Sequence, residues 1–335
     1  MIQESRAEFQ HAYNQTMPNF DLSISVLEIQ LEAFERIHLP EFPGSKLEGA
    51  FGRALYALSC TRTDLETCQP CQLRGVCPYG CLYAPSLPAS MAVKSLEHPP
   101  RPVLFAIGTG FERTLEPGQT FEFRLIIAGR ATQHTPYVIA SLQAMGTDGI
   151  GRTRGRFEVK TVHSLNPFTL ERQQLAQHND PVIRLENMMY LNSSDLPSIP
   201  DAITVEFTSF VHINNGGNMA GEIHFPVLIR ALQRRISNLE QLYGAGSSFG
   251  ADYTTLVQLA RDVKTVTHEL RPAHQLRKGV RGGKVNMHGL IGRVGYEGKL
   301  EIFTDLLRYG ELLGVGKWAH FGAGQYRIFT HQNQE

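Results

Sequence analysis

Neither sign of charge predominates in this sequence: 32 lysines and arginines stand against 32 aspartates and glutamates. The whole molecule therefore offers no field that would draw a polyanion from a distance, and any nucleic-acid site must be a local patch. Cysteine is absent except between Cys60 and Cys81, where all five fall, which excludes a fold-wide disulfide framework and favours metal binding. Long apolar runs are lacking too. The first twenty residues hold no basic start followed by an apolar stretch and a small-residue cleavage site, so the expectation is a cytoplasmic protein with no membrane partner. No residue-level repeat recurs at a fixed period.

What remains is ample for a buried core. The 335 residues are 42% hydrophobic and 19% charged, with 18 phenylalanines and 11 tyrosines, which fits neither a disordered nor a fibrous chain. That length accommodates two ordinary domains.

The pattern along the chain predicts an α+β fold. Leu22 to Glu35 alternates apolar and polar residues, as a half-buried strand does. After Pro40 and Pro43, Ser45 is a candidate cap for a helix that places Leu47, Phe51, Ala54, Leu55 and Leu58 on one face. Strands follow at Thr120 to Ile127 and Phe157 to Val162, with a helix from Tyr137 to Met145 between them. A loop-rich connection from Asn166 to Pro200 leads to a second strand-first unit at Ala202 to Phe207. There Phe225 to Leu242 is an amphipathic helix, Leu290 to Tyr296 a strand pair, Leu300 to Leu313 a helix and Gln325 to Phe329 the last strand. Two tandem ferredoxin-like (RRM-like) domains are the simplest architecture. The expected division is 20–198 and 199–335, with a cysteine-containing insertion at 60–85 in the first.

Between the last helix and strand, Gly314-Val315-Gly316-Lys317-Trp318-Ala319-His320-Phe321-Gly322-Ala323-Gly324-Gln325-Tyr326 carries four glycines. Such a loop lets backbone amides approach a phosphate, but glycine clusters equally often just permit tight turns. The segment resembles the glycine-rich loop G-x-G-K-x-x-x-F-G-x-G-x-Y of the CRISPR transcript-processing endoribonucleases of the RAMP superfamily. The resemblance extends to Gly44 through Leu55, Cys77-Pro78-Tyr79, Leu82-Tyr83, Gly149-Ile150-Gly151-Arg152, Arg234 through Leu239, and Gly289 through Gly292, in the family's order. Two departures stand out. Leu47-Glu48-Gly49 replaces the frequent Leu-Arg-Gly, and Arg277-Lys278-Gly279-Val280-Arg281-Gly282 keeps two arginines of an Arg-Tyr-Ser-x-Arg-Gln pattern but not its hydroxyls.

The resemblance implies an enzyme that binds a CRISPR repeat RNA hairpin and cuts the precursor into guide RNAs, which then pass to other CRISPR effector subunits. Cleavage by the ribose 2′-hydroxyl needs a base, an acid and a cation, but no metal. Of thirteen histidines, His38 lies where relatives place a catalytic His or Tyr, and His320 lies inside the glycine loop. Either is more often a packing or surface residue than a catalyst. Lys46 and Lys317 are the candidate cations. Candidate RNA contacts are Arg152, Arg154, Arg277, Lys278, Arg281, Lys284, Gly316, Lys317, Gly322 and Gly324, the basic run from Arg271 to Lys284 being taken as a mobile loop; the bland alternative is a solvated surface.

Cys68 and Cys71 form a C-x-x-C pair flanked by Cys60 and Cys77, a set suited to a structural zinc, with Cys81 spare. Reduced thiols without metal, or an iron-sulfur cluster, are the alternatives. A rival to the enzyme is a non-catalytic RNA-binding subunit of a CRISPR effector complex. A third reading is a zinc-stapled protein unrelated to RNA.

Overall fold

The computed structural model describes residues 20–87, 99–107, 113–244, 253–278 and 284–330. The chain forms two compact units. Among the described residues, one lies within Ser23–Leu191 with the tripeptide His320–Gly322, and the other comprises residues 20–22, those within Asn192–Ala319, and residues 323–330.

The first unit is built on β1 (Ile24–Ala33), whose alternation buries Ile29, Leu31 and Ala33 and leaves Glu28, Gln30 and Glu32 partly exposed. Next come β2 (Ile37–Leu39), α1 (Gly44–Ser59), the short α2 (Pro78–Leu82), β3 (Val103–Ala106), β4 (Arg113–Leu115), β5 (Thr120–Ala128), α3 (Thr135–Asp148), β6 (Phe157–Leu165) and β7 (Arg172–Gln177). The main sheet runs β3-β5-β1-β6-β7, and all of its pairings are antiparallel. Setting aside β7 at the edge, this is the order of a β-α-β-β-α-β ferredoxin-like unit, with the first and third strands central.

Helix α1 buries Leu47, Phe51, Ala54 and Leu55 as its spacing predicts. The Phe51 ring meets Phe105 edge to face at 5.5 Å, and burying such a ring contributes roughly 1.5–3 kcal/mol. Two expectations fail at its ends. The residue that precedes the helix is Pro43, with no side-chain cap, because the chain turns helical before Ser45. Leu58 is 48% exposed, since it lies in the last turn, past the part of the helix that the core covers.

The second unit repeats the plan. It contains β8 (Ala202–Val211), the two-residue strands β9 (Asn214–Asn215) and β10 (Asn218–Met219), α4 (Phe225–Tyr243), α5 (Tyr253–Leu259), β11 (Lys264–Lys278), β12 (Lys284–Glu297), α6 (Thr304–Leu313) and β13 (Tyr326–Phe329). Its four-stranded sheet runs β11-β12-β8-β13 and is antiparallel throughout, again the ferredoxin-like order. Residues 20–22 belong to this unit: the Phe20 ring packs on Tyr309, whose hydroxyl donates to the Leu22 carbonyl at 2.9 Å.

One expectation about this unit is corrected. The basic run from Arg271 to Lys284 is not one mobile loop, because β11 and β12 pair residue for residue from Leu270↔Gly292 to Lys278↔Lys284. Arg271, Arg277, Lys278 and Lys284 therefore sit on strands, while Arg281 lies outside the described residues. No helix of the described residues is long and apolar enough to cross a membrane.

Candidate functional site

His38 is placed by a two-stranded ladder. It sits in the middle of β2 opposite Thr114 of β4, and its Nδ1 lies 2.9 Å from the Thr114 hydroxyl, a bond that fixes the orientation of the half-buried ring. The turn at 149–155 backs this strand. A side chain on Gly151 would put its Cβ 2.6 Å from the His38 carbonyl oxygen, and Gly151 has φ +78°, so only glycine allows the turn to press this close. The Thr153 hydroxyl donates to the Arg36 carbonyl at 3.0 Å, which ties the same turn to the residue two before His38.

Arg152 and Arg154 project from this turn and are exposed. Neither takes part in an ion pair among the described residues. Arg156, grouped with them in the sequence, is committed elsewhere: it forms a two-point pair with Glu35 at 2.8–2.9 Å. That pairing holds the Glu35 carboxyl below its usual range. The three arginines thus divide into two available cations and one structural one.

Lys46 is exposed on the first turn of α1. The start of that helix meets the tripeptide from the glycine loop, since a Cβ on Gly44 would overlap the Phe321 carbonyl oxygen. The Phe42 and Phe321 rings also meet edge to face at 6.2 Å. Gly322 approaches the Phe105 carbonyl, where an added Cβ would stand at 2.6 Å. His320, half-buried with its ring against Phe321 at 4.3 Å, is therefore held beside the first turn of α1. His38, Lys46 and His320 all belong to the first unit.

The departure at Glu48 has a structural account. Glu48 is 3% exposed and forms an ion pair with Arg101, whose guanidinium also lies 3.9 Å above the Tyr83 ring. Position 48 points into the core, where no side chain reaches a phosphate, so the missing arginine is no loss of surface charge.

The cysteines follow α1 directly. Cys60 ends that helix, the Cys71 amide bonds to the Cys68 carbonyl at 3.1 Å, and Cys77 precedes α2. Cys60, Cys68, Cys71 and Cys77 line one cavity of ≈ 450 Å³ together with Tyr56 and Tyr79. Cys81 does not line it, and its Sγ lies 3.4 Å from the Gly75 carbonyl. Burial pushes the Cys68 thiol up, with Cys60, Cys77 and Cys71 adding to the effect. The donor set suits tetrahedral zinc in kind and number, but no three His, Cys, Asp or Glu side chains converge as metal ligands among the described residues.

In the second unit the glycine loop folds back on β8. The amides of Lys317 and Gly324 donate to the carbonyls of His212 and Phe210, both at 2.9 Å, and Val315 donates to Gly324 at 2.9 Å. A Cβ on Gly316 would stand 2.3 Å from the His212 carbonyl oxygen. The sequence suggested that these glycines free amides for phosphate. Instead the Gly324 amide is consumed within the protein, and Gly316 and Gly324 serve close backbone packing. Lys317 remains exposed.

Sequence reasoning missed Arg235. It is half-buried in α4, and its Nε donates to the Leu313 carbonyl at 3.0 Å, which holds the end of α6 where the glycine loop departs. Burial pulls this guanidinium down to about 10, so it keeps its charge at neutral pH. Among three arginines on one helix, the sequence alone does not distinguish the one whose guanidinium turns inward.

Two antiparallel ferredoxin-like units, one carrying a His-bearing ladder backed by a basic turn and the other the start of a C-terminal glycine loop, define the class as a tandem ferredoxin-like fold. Residues 205–326 match the family model described as CRISPR-associated endoribonuclease Cas6, and residues 22–188 match a family model of an N-terminal domain described as AF_1859_N. The chain is 25% identical over 318 residues to an uncharacterized protein of Archaeoglobus fulgidus, covering 92% of this chain and 99% of that protein. A Cas6 product complex shares the fold with a TM-score of 0.54 at 15% identity, covering 91% of this chain and 100% of its own. Thermus thermophilus Cas6 does so with a TM-score of 0.51 at 12% identity, covering 92% and 99%.

Proposed function

We propose that the protein cleaves CRISPR precursor transcripts within their repeats, in the cytoplasm, by attack of a ribose 2′-hydroxyl without a catalytic metal. The observation that carries this reading is the Cas6 family match over 205–326, supported by the basic turn pressed against His38 in the first unit. His38 and His320 serve as base and acid. One takes the proton of the 2′-hydroxyl, the O2′ bonds to the adjacent phosphorus, and the other gives a proton to the departing 5′-oxygen. The products are a 2′,3′-cyclic phosphate, or the 3′-phosphate from its hydrolysis, and a 5′-hydroxyl.

Lys46, in the same unit as both histidines, is the better candidate to stabilise the charged phosphorane, with Lys317 the alternative. Arg152 and Arg154 bind phosphates beside His38, and Arg277, Lys278, Arg281, Lys284 and Lys317 bind the repeat hairpin. Gly316, Gly322 and Gly324 shape the loop that carries Lys317 and His320. Cys60, Cys68, Cys71 and Cys77 are the residues that would hold a structural zinc, which would cross-link the end of α1 to the segment before α2. Four thiolates would leave such a zinc a structural and not a catalytic role. The processed guide then passes to other CRISPR subunits.

The test is cleavage of a labelled repeat RNA in EDTA, beside the same RNA with a 2′-deoxy nucleotide at the cut site. Cutting of the first alone, lost in His38→Ala, supports the reading. Tight binding of both without cutting assigns the chain instead to the non-catalytic RNA-binding subunits.

A further inference from the structure

Trp318 is the sole tryptophan and stands at a position that the glycine-loop motif leaves open. Its backbone has φ +61°, while Gly314, Gly316, Gly322 and Gly324 occupy the other left-handed positions of the loop. A non-glycine residue there carries about 1–3 kcal/mol of strain, which glycine would relieve. The indole is nevertheless only half-buried, so part of its surface stays open to a ligand.

The indole is also held in place. Its ring meets Phe210 edge to face at 6.1 Å and His212 at 5.2 Å. His212 is 3% exposed, and both of its ring nitrogens are engaged: Nδ1 with the His288 carbonyl at 2.8 Å and Nε2 with the Asn214 side chain at 2.9 Å. His212 also meets the exposed His288 ring at 4.9 Å. A fixed, buried imidazole thus contacts two accessible aromatic rings, with the exposed Lys317 next in the chain to one of them. All of these residues belong to the second unit.

We infer that Trp318 and His288 form an aromatic ledge on which an unpaired base of the RNA stacks, while Lys317 contacts an adjacent phosphate. Rigid rings that keep an open face beside a cation are the means by which proteins hold single-stranded RNA, since every base has a π-face and paired bases are shielded. The ledge deepens the endoribonuclease reading and rests on it for the identity of the ligand. It makes Trp318 a positioning residue for a nucleotide outside the paired stem.

The single tryptophan makes the full-length protein its own reporter. It is titrated with a short single-stranded oligoribonucleotide, with the same backbone carrying abasic sites, and with a blunt RNA duplex, while filter retention measures binding independently. The ledge predicts quenching of the indole by the first probe only. Trp318→Ala should weaken retention of that probe about tenfold, as the loss of one stacked base does, and Trp318→Phe should retain most of the affinity.

Trp318→Gly separates ligand binding from folding. The ledge predicts weakened binding by folded protein whatever the change in melting temperature, whereas a lowered melting temperature with unchanged binding makes the indole a packing residue. Retention of the single strand with unchanged fluorescence, and with wild-type affinity in Trp318→Ala, overturns the ledge and leaves the endoribonuclease reading standing. Failure to retain any RNA overturns both.

Discussion

Alanine at position 151 tests whether the turn at 149–155 positions His38. The substituted Cβ would begin 2.6 Å from the His38 carbonyl oxygen and 3.4 Å from its amide nitrogen. Ordinary contact starts near 3.4 Å, so strand β2 and the turn must separate by roughly 0.8 Å. The left-handed torsion costs a further ~1–2 kcal/mol on its own. Gly118 supplies the control, because its φ is +83° and nothing lies within 4 Å of an added Cβ; Gly118→Ala therefore reports the torsional cost alone. Urea unfolding of both variants should show Gly151→Ala less stable than Gly118→Ala by about 1–2 kcal/mol, the order of a strained local contact. Single-turnover cleavage of repeat RNA should fall about 10²-fold in Gly151→Ala, as expected when a reacting group is misplaced by close to 1 Å, and remain near wild type in Gly118→Ala. Equal stability of the two variants with undiminished cleavage would refute the argument that this contact seats His38.

Two further outcomes follow from the first unit. Metal analysis of protein purified without chelator should find about one zinc per chain, lost in Cys68→Ser and kept in Cys81→Ser; protein that is folded and zinc-free would leave the four thiols reduced. Burial holds the His134 imidazole below its ordinary 6.5, so the unfolded chain takes up this proton more readily than the folded one. Its contribution to stability is present above about pH 6.5 and is lost as pH falls toward the depressed folded value, so His134→Gln should flatten the melting-temperature profile between about pH 7 and 5.

Much of the fold was legible because its signals are local. The alternation at Ile24–Ala33 and the stripe from Leu228 to Leu242 each bury one face in a regular rhythm, and the structure returns both elements. Strand β11 was not legible, for a physical reason. Its residues from Val266 to Glu269 are all exposed, so no period of two is written in its hydrophobicity, and Pro272 argues against a central strand. Only its pairing with β12 reveals it. At the site, His38, Lys46, Arg152 and the four clustered cysteines could be found as residue types in a familiar order. The burial of Glu48 against Arg101 and of Arg235 against Leu313 could not, because each depends on a partner more than fifty residues away.

Among the described residues, strand β11 lies at the margin of its sheet, bonded to β12 on one side only, and it runs for 15 residues. An open margin of that length is a template on which a neighbouring molecule can add a strand and begin to aggregate. Here Pro272 withholds an N–H from any such addition, and the exposed charges of Lys264, Glu269 and Arg271 disfavour a second strand beside it. The same residues that hid this strand from sequence reading thus guard the protein against self-assembly, and substituting Pro272 with valine removes part of that guard.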